Sequence, residues 1–368
     1  MKSFAVAGDN HLRKGMWQKK PGLSGDSYES FNQLIKYCTD NGLNLCLAGD
    51  LFDTDQPEPD DVHVFLSGMA RMKRNKLEVF YIQGQHEFKT LPWAKAVSPY
   101  VRYVHRAIFE PVDGFKMYGI DQCRAEELQE ELANVPDEVS GLLMHQWEKS
   151  SFPIPDAWNF DLDWLPKHIR FVALGDYHKK IDLSWDGGIG FYTGSQHMTE
   201  VSEDPQKSFC VVTVDGESVT YERIPLKTRP VFVEEVLSPE SLDKVTRFLL
   251  EELDPDKMFS DVPKTVRKPI FVVSYLTDIP ESGPRLLSAA GSKVHLFTKP
   301  KTLTQHTMQV EAGRPDYQEG EAVTLASVVG MAAPENTDKY KFIHDLVTKD
   351  VSQVLTAWRE KLGVNDAA

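Results

Sequence analysis

Short apolar runs recur through the first half of the chain, and each ends in a cluster of polar residues. They are SFAVAGDNH (3–11), LNLCLAGD (43–50), LEVFYIQGQHE (77–87), FKMYGID (115–121), GLLMHQ (141–146) and FVALGDYH (171–178). Near-continuous apolar runs of this kind read as strands buried on both faces of a sheet. Amphipathic helices separate the early ones. Asp26 or Ser27 caps a helix that carries Phe31, Leu34, Ile35 and Cys38, and Gly42 stops it. A second helix sets Val62, Phe65, Leu66, Met69 and Met72 on one face. Strand–helix–strand alternation predicts a mostly parallel α/β sheet, in which ligands bind beyond the carboxyl ends of the strands.

The pattern changes at 190–228. FYTGSQHM, SFCVVTVDGES and VTYERIPL predict a short antiparallel set with a turn at Asp215-Gly216. After Arg229-Pro230 a compact βαβαβ-like unit is expected, with VFVEEV, PIFVVSYL and VHLFT as strands. Residues 301–336 are polar and read as a linker. The segment 337–368 reads as a C-terminal helix whose apolar face includes Ile343, Leu346, Val347, Val351, Val354, Leu355, Trp358 and Leu362. The expected domains are therefore 1–228, 229–300, the linker 301–336 and the helix 337–368.

Composition adds limits. A chain of 368 residues with 41% hydrophobic residues holds two or three domains and a large core. No run of 18 apolar residues is present, so no membrane span is expected, and no signal peptide fits the strand-like start. Cys38, Cys46, Cys123 and Cys210 have no metal-ligand spacing and read as free thiols of a reducing cytoplasm. The net charge of −14 argues against a basic nucleic-acid footprint, unless many of the carboxylates hold divalent cations.

The polar strand ends supply those carboxylates. Asp9 and His11 stand in D-x-H, Asp50 and Asp53 in GDLFD, and Gln85 and His86 in GQHE. His145 stands in MHQ, and Asp176 and His178 in GDYH. Each piece alone also reads as a turn, a cap or a core histidine. In order, at the same end of successive strands, they make a site for one or two divalent metals. Two metals bridged by a carboxylate can generate a hydroxide and hold a phosphate for in-line attack. The loop residues Arg13, Lys14, Trp17, Lys19 and Lys20 read either as contacts to phosphates and a stacked base or as an ordinary solvated loop. RMKRNK (71–76) reads as cations at a helix end, and His197, near YTGS, either points at the site or is a plain loop histidine.

The order D-x-H, GDLFD, G-x-H-E, H-Q, G-x-x-H resembles the calcineurin-like metallophosphoesterase superfamily. More narrowly, LAGDLFD, ALGDYHKK, YTGS and IPLKTRPVF resemble the SbcD-type DNA-repair nucleases. The resemblance covers about residues 1–300. It implies a four-layer metallophosphoesterase-type β-sandwich flanked by helices, with a smaller α+β capping domain and a C-terminal helical partner-binding segment. It implies a DNA phosphodiesterase, an exo/endonuclease, that uses two divalent ions, Mn²⁺ or else Mg²⁺. Asp9, His11 and His178 are then ligands of the first metal, Asp50 bridges, and Gln85, His145 and Asp176 hold the second. His86 steadies the phosphate and protonates the leaving oxygen.

Two positions depart from the pattern. The family has Asn where Gln85 stands and His where Asp176 stands, and both belong to the second metal. The implied partners are DNA and an SbcC-type, SMC-like ATPase docked on the C-terminal helix, with the chain a homodimer inside a heterotetramer. The implied place is a bacterial cytoplasm, or that of a host if the chain comes from a phage. Two other readings stay open: a catalytically weak scaffold that binds DNA ends for the ATPase, and a phosphoesterase for small molecules.

Overall fold

A computed structural model describes residues 1–15, 23–89, 91–151, 158–200 and 203–302. Trp17, Lys19, Lys20, most of the expected linker and the whole expected C-terminal helix lie outside the described residues.

In the first half the strands are β1 (Lys2–Ala7), β2 (Leu45–Ala48), β3 (Val79–Ile82), β4 (Val101–Tyr103), β5 (Ile108–Val112), β6 (Phe115–Ile120), β7 (Gly141–His145) and β8 (Phe171–Gly175). There follow β9 (Ile181–Trp185), β10 (Gly188–Tyr192), β11 (Ser208–Asp215), β12 (Ser218–Pro225), β13 (Val231–Val236), β14 (Ile270–Leu276) and β15 (His295–Lys301). The helices are α1 (Asp26–Asn41), α2 (Pro59–Arg74), α3 (Trp93–Val97), α4 (Ala125–Ala133), α5 (Pro239–Arg247), α6 (Pro255–Met258) and α7 (Ser282–Ala290).

Period-two alternation assigns the faces of the central strands. Phe4, Val6, Cys46, Ala48, Phe80 and Ile82 point into one buried cluster with Phe109, Phe115, Met117, Leu143, Phe171 and Phe191. Their neighbours Ala5, Ala7, Leu45, Leu47, Val79 and Tyr81 point the other way, onto Phe31, Leu34, Ile35, Phe65 and Met69 of α1 and α2. On the far side, Leu128 and Leu132 of α4 pack on Ile120, Leu142, Met144, Val172 and Leu174. The result is four layers: α1 and α2, a first sheet, a second sheet, then α4. The first sheet has the order β12-β11-β1-β2-β3-β4 and the second β5-β6-β7-β8-β10-β9.

The strand–helix alternation alone predicted a single sheet, whereas the two stacked sheets flanked by helices are the sandwich that the resemblance implied; each long apolar run buries both faces, one on a helix and one on the other sheet. The block 190–228 contains the expected antiparallel pair, β11 with β12, but its strands are shared between the two sheets. β10 runs parallel to β8 in the second sheet, while β11 joins the first by pairing antiparallel with β1 and β12. The β11–β12 turn is centred one residue later than expected: Asp215 pairs with Ser218, and Gly216 takes φ +61°.

The cap of α1 also differs. Gly25 is the N-cap, with φ 85°, and Asp26 is the first helical residue. Gly42 ends the helix as expected, in the left-handed conformation. A third, three-stranded sheet has the order β13-β14-β15.

The chain divides into two compact units. One is Met1–Glu234, Arg247–Val272 and Ala289–Phe297; the other contains Glu235–Thr246, Val273–Ser288 and the residues from Thr298. In the first, Leu23 packs with Ile270 and Val272. Within the second, Leu242, Val245, Leu276, Ile279 and Leu286 are buried and Arg285 pairs with Asp243 at 2.5 Å.

Candidate metal centre

Every candidate ligand follows a strand of the two central sheets or ends one. The parallel strands β1, β2 and β3 of the first sheet, and β7 and β8 of the second, deliver their carboxyl ends to one rim. The loops after β1 and β2 are joined by backbone hydrogen bonds: Asp9 N donates to Gly49 O (3.1 Å), His11 N to Asp50 O (2.9 Å) and Leu12 N to Leu51 O (2.8 Å). Holding chelating side chains on so short a loop demands unusual backbone. Asp9 (φ 51°), His11 (φ 42°), Asp50 (φ 49°) and Asp176 (φ 91°) all lie in the left-handed region. Such conformations gather at functional sites, where the surrounding structure enforces them.

The two aspartates divide their oxygens. Asp9 Oδ1 accepts from the backbone N–H of Asp176 at 3.0 Å, and Asp50 Oδ1 from that of His86 at 3.0 Å. Each Oδ1 therefore pins another loop of the site. The Oδ2 atoms of both are buried and have no hydrogen-bond partner among the described residues. Asp50 Oδ2 lies 3.4 Å from His145 Nε2, 3.8 Å from His11 Nε2 and 3.9 Å from His86 Nε2. His145, fully buried, donates Nδ1–H to Ala48 O at 2.6 Å, which leaves Nε2 as a lone-pair atom facing the cluster. His11 Nε2 and His178 Nε2 approach to 3.0 Å.

Glycines make this convergence possible. A Cβ at Gly84 would overlap the Asp50 carboxylate and stand 2.6 Å from His145 Nε2, and one at Gly175 would stand 2.6 Å from His145 Nδ1.

Electrostatics follow from the crowding. Burial pushes Asp50 up, but His145, His11 and His86 outweigh it and hold the carboxylate well below its usual range. Burial pushes His145 down, yet Asp50, Asp176 and Asp9 hold it well above the ordinary imidazole value. Burial raises Asp176, His145 opposes that, and the negative charge of Asp9 adds to it. Glu87, buried beneath the loop, is pushed up to about 8 by burial and then by Asp50, while it accepts from Leu51 N (2.9 Å) and Phe52 N (2.8 Å).

Unpaired buried polar atoms call for an explanation, and an ion is the simplest where carboxylates and imidazoles meet. Three sets have ligand atoms within 4.8 Å of one another: Asp9, His11 and His178; Asp9, Asp50 and His145; and His11, Asp53 and His86. The donor set fits a divalent cation. Asp9 is common to the first two sets, and Asp50 contacts imidazoles of both.

Gln85 is exposed and donates its amide to Asp176 Oδ1 at 2.7 Å, with Asp176 Oδ1 3.9 Å from His145 Nε2. His86 is half-exposed at the rim, its Nδ1 donating to Asp53 O at 3.2 Å. Arg13 is engaged with Asp53 Oδ2 at 2.7 Å and Lys14 with Asp60 at 2.6 Å.

Several residues of the site were not singled out by the sequence. Asp53 was noticed in GDLFD but given no role; it lies 3.3 Å from His11 Nδ1. His197, weighed as a plain loop histidine or a group aimed at the site, is fully buried, and neither ring nitrogen has a partner among the described residues. Burial, then His11 and Lys207, push it down to about 3. Glu203 lies in a polar stretch with no recognisable spacing, yet it accepts from His178 Nδ1 at 3.0 Å. Only the fold brings it there.

No family model matches the chain. It is similar to proteins named DNA double-strand break repair protein Mre11. That of Methanosarcina acetivorans is 27% identical over 218 residues, 55% of this chain and 35% of that protein. That of Sulfurisphaera tokodaii is 27% identical over 284 residues, 72% of this chain and 70% of that protein. That of Sulfolobus acidocaldarius is 25% identical over 271 residues, 68% and 71%. The chain thus spans from about a third to about seven tenths of the length of these relatives. Among solved structures, TT1561 of Thermus thermophilus overlays with a TM-score of 0.40 at 10% identity, over 60% of this chain and 98% of that one, an overlap too loose to carry weight. The chain is thus similar to Mre11 proteins at 25–27% identity, and its rim gathers the carboxylates and imidazoles that a divalent cation would need.

Proposed function

We propose that the chain is a metal-dependent DNA phosphodiesterase, the nuclease subunit of a repair or recombination complex with an SMC-like ATPase. The observation that carries this is the division of labour in Asp9 and Asp50. Each spends one carboxylate oxygen on the scaffold and keeps the other buried, unpaired and surrounded by imidazoles. A structural cluster would pair both oxygens.

Asp9, His11 and His178 would hold a first divalent cation, Gln85, His145 and Asp176 a second, and Asp50 both. The ions, Mn²⁺ or Mg²⁺, supply the Lewis acidity that lowers the pKa of a water and neutralises charge on a phosphodiester. The remaining chemistry belongs to side chains. His86 stands at the open rim with Nδ1–H fixed on Asp53 O, and its Nε2, 3.9 Å from Asp50 Oδ2, faces the cation site, where a proton held there could pass to a leaving oxygen. The close approaches at Gly84 and Gly175 keep His145 tightly packed beneath. We assign residues 1–228 to the nuclease domain, 229–300 to a capping domain that orients DNA, 301–336 to a linker and 337–368 to the ATPase-binding helix. Arg13, Lys14, Trp17, Lys19 and Lys20 would flank the DNA path. The chain would work as a homodimer with two ATPase subunits, in a bacterial or phage-infected cytoplasm. Among the described residues no helix is long and apolar enough to cross a membrane.

The test is cleavage of end-labelled DNA in Mn²⁺ by the wild type and by His86→Ala. Cleavage that needs the metal and falls by about 100-fold or more in the variant is expected of a lost general acid. No cleavage by the wild type, even with its ATPase present, overturns the reading and leaves a scaffold.

A further inference from the structure

His178 has an unusual anchor. Its Nδ1 lies 3.0 Å from Glu203 Oε1 and its Nε2 3.0 Å from His11 Nε2. Thr199 Oγ1 also reaches Nδ1, at 3.2 Å. Glu203, with a side chain 9% exposed, is itself tied down. Its Oε2 accepts from Lys207 Nζ (2.5 Å), Ser195 Oγ (3.0 Å) and Thr199 N (3.2 Å), and Thr199 Oγ1 donates to Oε1. Lys207 is 3% exposed and also donates to Ser195 Oγ at 2.7 Å. A lysine and a glutamate sealed together beside a metal-site histidine need a reason, because a buried ion pair is weak evidence of stabilisation. A carboxylate can only accept, so it selects one tautomer of the imidazole.

We propose that Glu203, clamped by Lys207, Ser195 and Thr199, is a positioning residue that holds His178 with its proton on Nδ1 and its Nε2 lone pair turned toward the cation site. The proposal rests on the reading of His178 as a ligand of the first metal. A looser copy of the arrangement stands across the site, where Arg13 holds Asp53 and Asp53 lies 3.3 Å from His11 Nδ1. Both imidazoles would then be oriented from behind by a carboxylate that a cation fixes, which is how ligating histidines are generally held.

The substitution Glu203→Gln separates tautomer from shape. The donors on Oε2 (Lys207, Ser195, Thr199 N) retain the amide oxygen there, so the amide NH₂ faces His178 Nδ1. Nδ1 must then accept, and the proton moves to Nε2, blocking the lone pair. The experiment is ¹⁵N NMR of the imidazoles in the full-length, metal-free protein at pH 9, with His178 assigned by its loss in His178→Gln, alongside calorimetric Mn²⁺ binding. The wild type is expected to show Nδ1–H at His178. Glu203→Gln is expected to show Nε2–H and to bind Mn²⁺ about 10- to 100-fold more weakly, the usual effect of losing such a partner. Nε2–H in the wild type overturns the proposal, and that signal decides the matter even if the variant fails to fold. Wild-type Mn²⁺ affinity in a folded Glu203→Gln overturns it too. A protein that cleaves no DNA yet shows both expected changes refutes the proposed nuclease and leaves the role of Glu203 standing.

Discussion

Gln85 and Asp176 occupy the two positions where the chain departs from the motif pattern it resembles, and they are bonded to each other at 2.7 Å. The longer amide arm reaches the carboxylate; an asparagine would stop one methylene short, and a histidine at 176 would offer a different acceptor in a different place. The two changes therefore read as one adjustment rather than two losses. In the proposed site they would give a second cation an anionic oxygen ligand in place of an imidazole, a harder donor suited to Mn²⁺ or Mg²⁺. In a double-mutant cycle, Gln85→Asn and Asp176→His should each weaken Mn²⁺ binding, and the double variant should lose less than the sum. Contacting residues commonly couple by about 0.5–3 kcal/mol. Strictly additive losses, measured by titration calorimetry, would show that the pair is not a unit. The candidate ligands were legible as a cluster because strand ends are where a parallel sheet puts its polar groups. The partners behind them were not: Glu203 reaches His178 across 25 residues of chain through the fold alone, and His197 looked exposed only because its neighbours in sequence are polar.

At the scale of elements, the sequence's alternation told which runs are strands but not that they form two sheets. Apolar on both faces is the same signal whether the second face meets a helix or another sheet. The short edge strands β4, β5 and β9 carry mixed residues, partly buried, and passed unnoticed for that reason. One contact ties α1 to the chain beyond β12. Arg229, 3% exposed, grips Asp26 at 2.7 and 3.0 Å and donates to Lys268 O at 2.7 Å. Asp26 opens the first turn of α1, where a carboxylate is favoured by the helix dipole. Removing one partner strands a buried charge. Arg229→Met is expected to destabilise the protein by about 3–5 kcal/mol, read as a fall in the urea midpoint. Asp26→Asn combined with Arg229→Met should recover part of that loss. A change of less than about 1 kcal/mol in the single variant would mean that water reaches the site and screens it.

For the whole molecule, a net charge of −14 and a buried rim of carboxylates and imidazoles put metal, protons and stability in one balance. In the metal-free protein the acidic cluster holds His145 above its ordinary value despite burial, and Glu203 and Asp9 do the same for His178. Both are therefore biased toward the protonated form, and a cation binds only the neutral imidazole, so protons compete with it for these rings. Asp176, raised by burial and by Asp9, adds in the same direction. The sign is fixed: as pH falls, protons compete better and apparent Mn²⁺ affinity drops; as pH rises through these raised values, the competition ends. Calorimetry at pH 7 in two buffers of different ionisation enthalpy should show net proton release on Mn²⁺ binding. Because the cation binds the folded chain, Mn²⁺ at 100 times its dissociation constant should add about 2.7 kcal/mol of stability. That increment should shrink on acidification and vanish in Asp50→Asn, whose amide cannot supply the charge. Identical binding heats in the two buffers would mean that the imidazoles are already neutral, and that the carboxylates do not govern them as the geometry says.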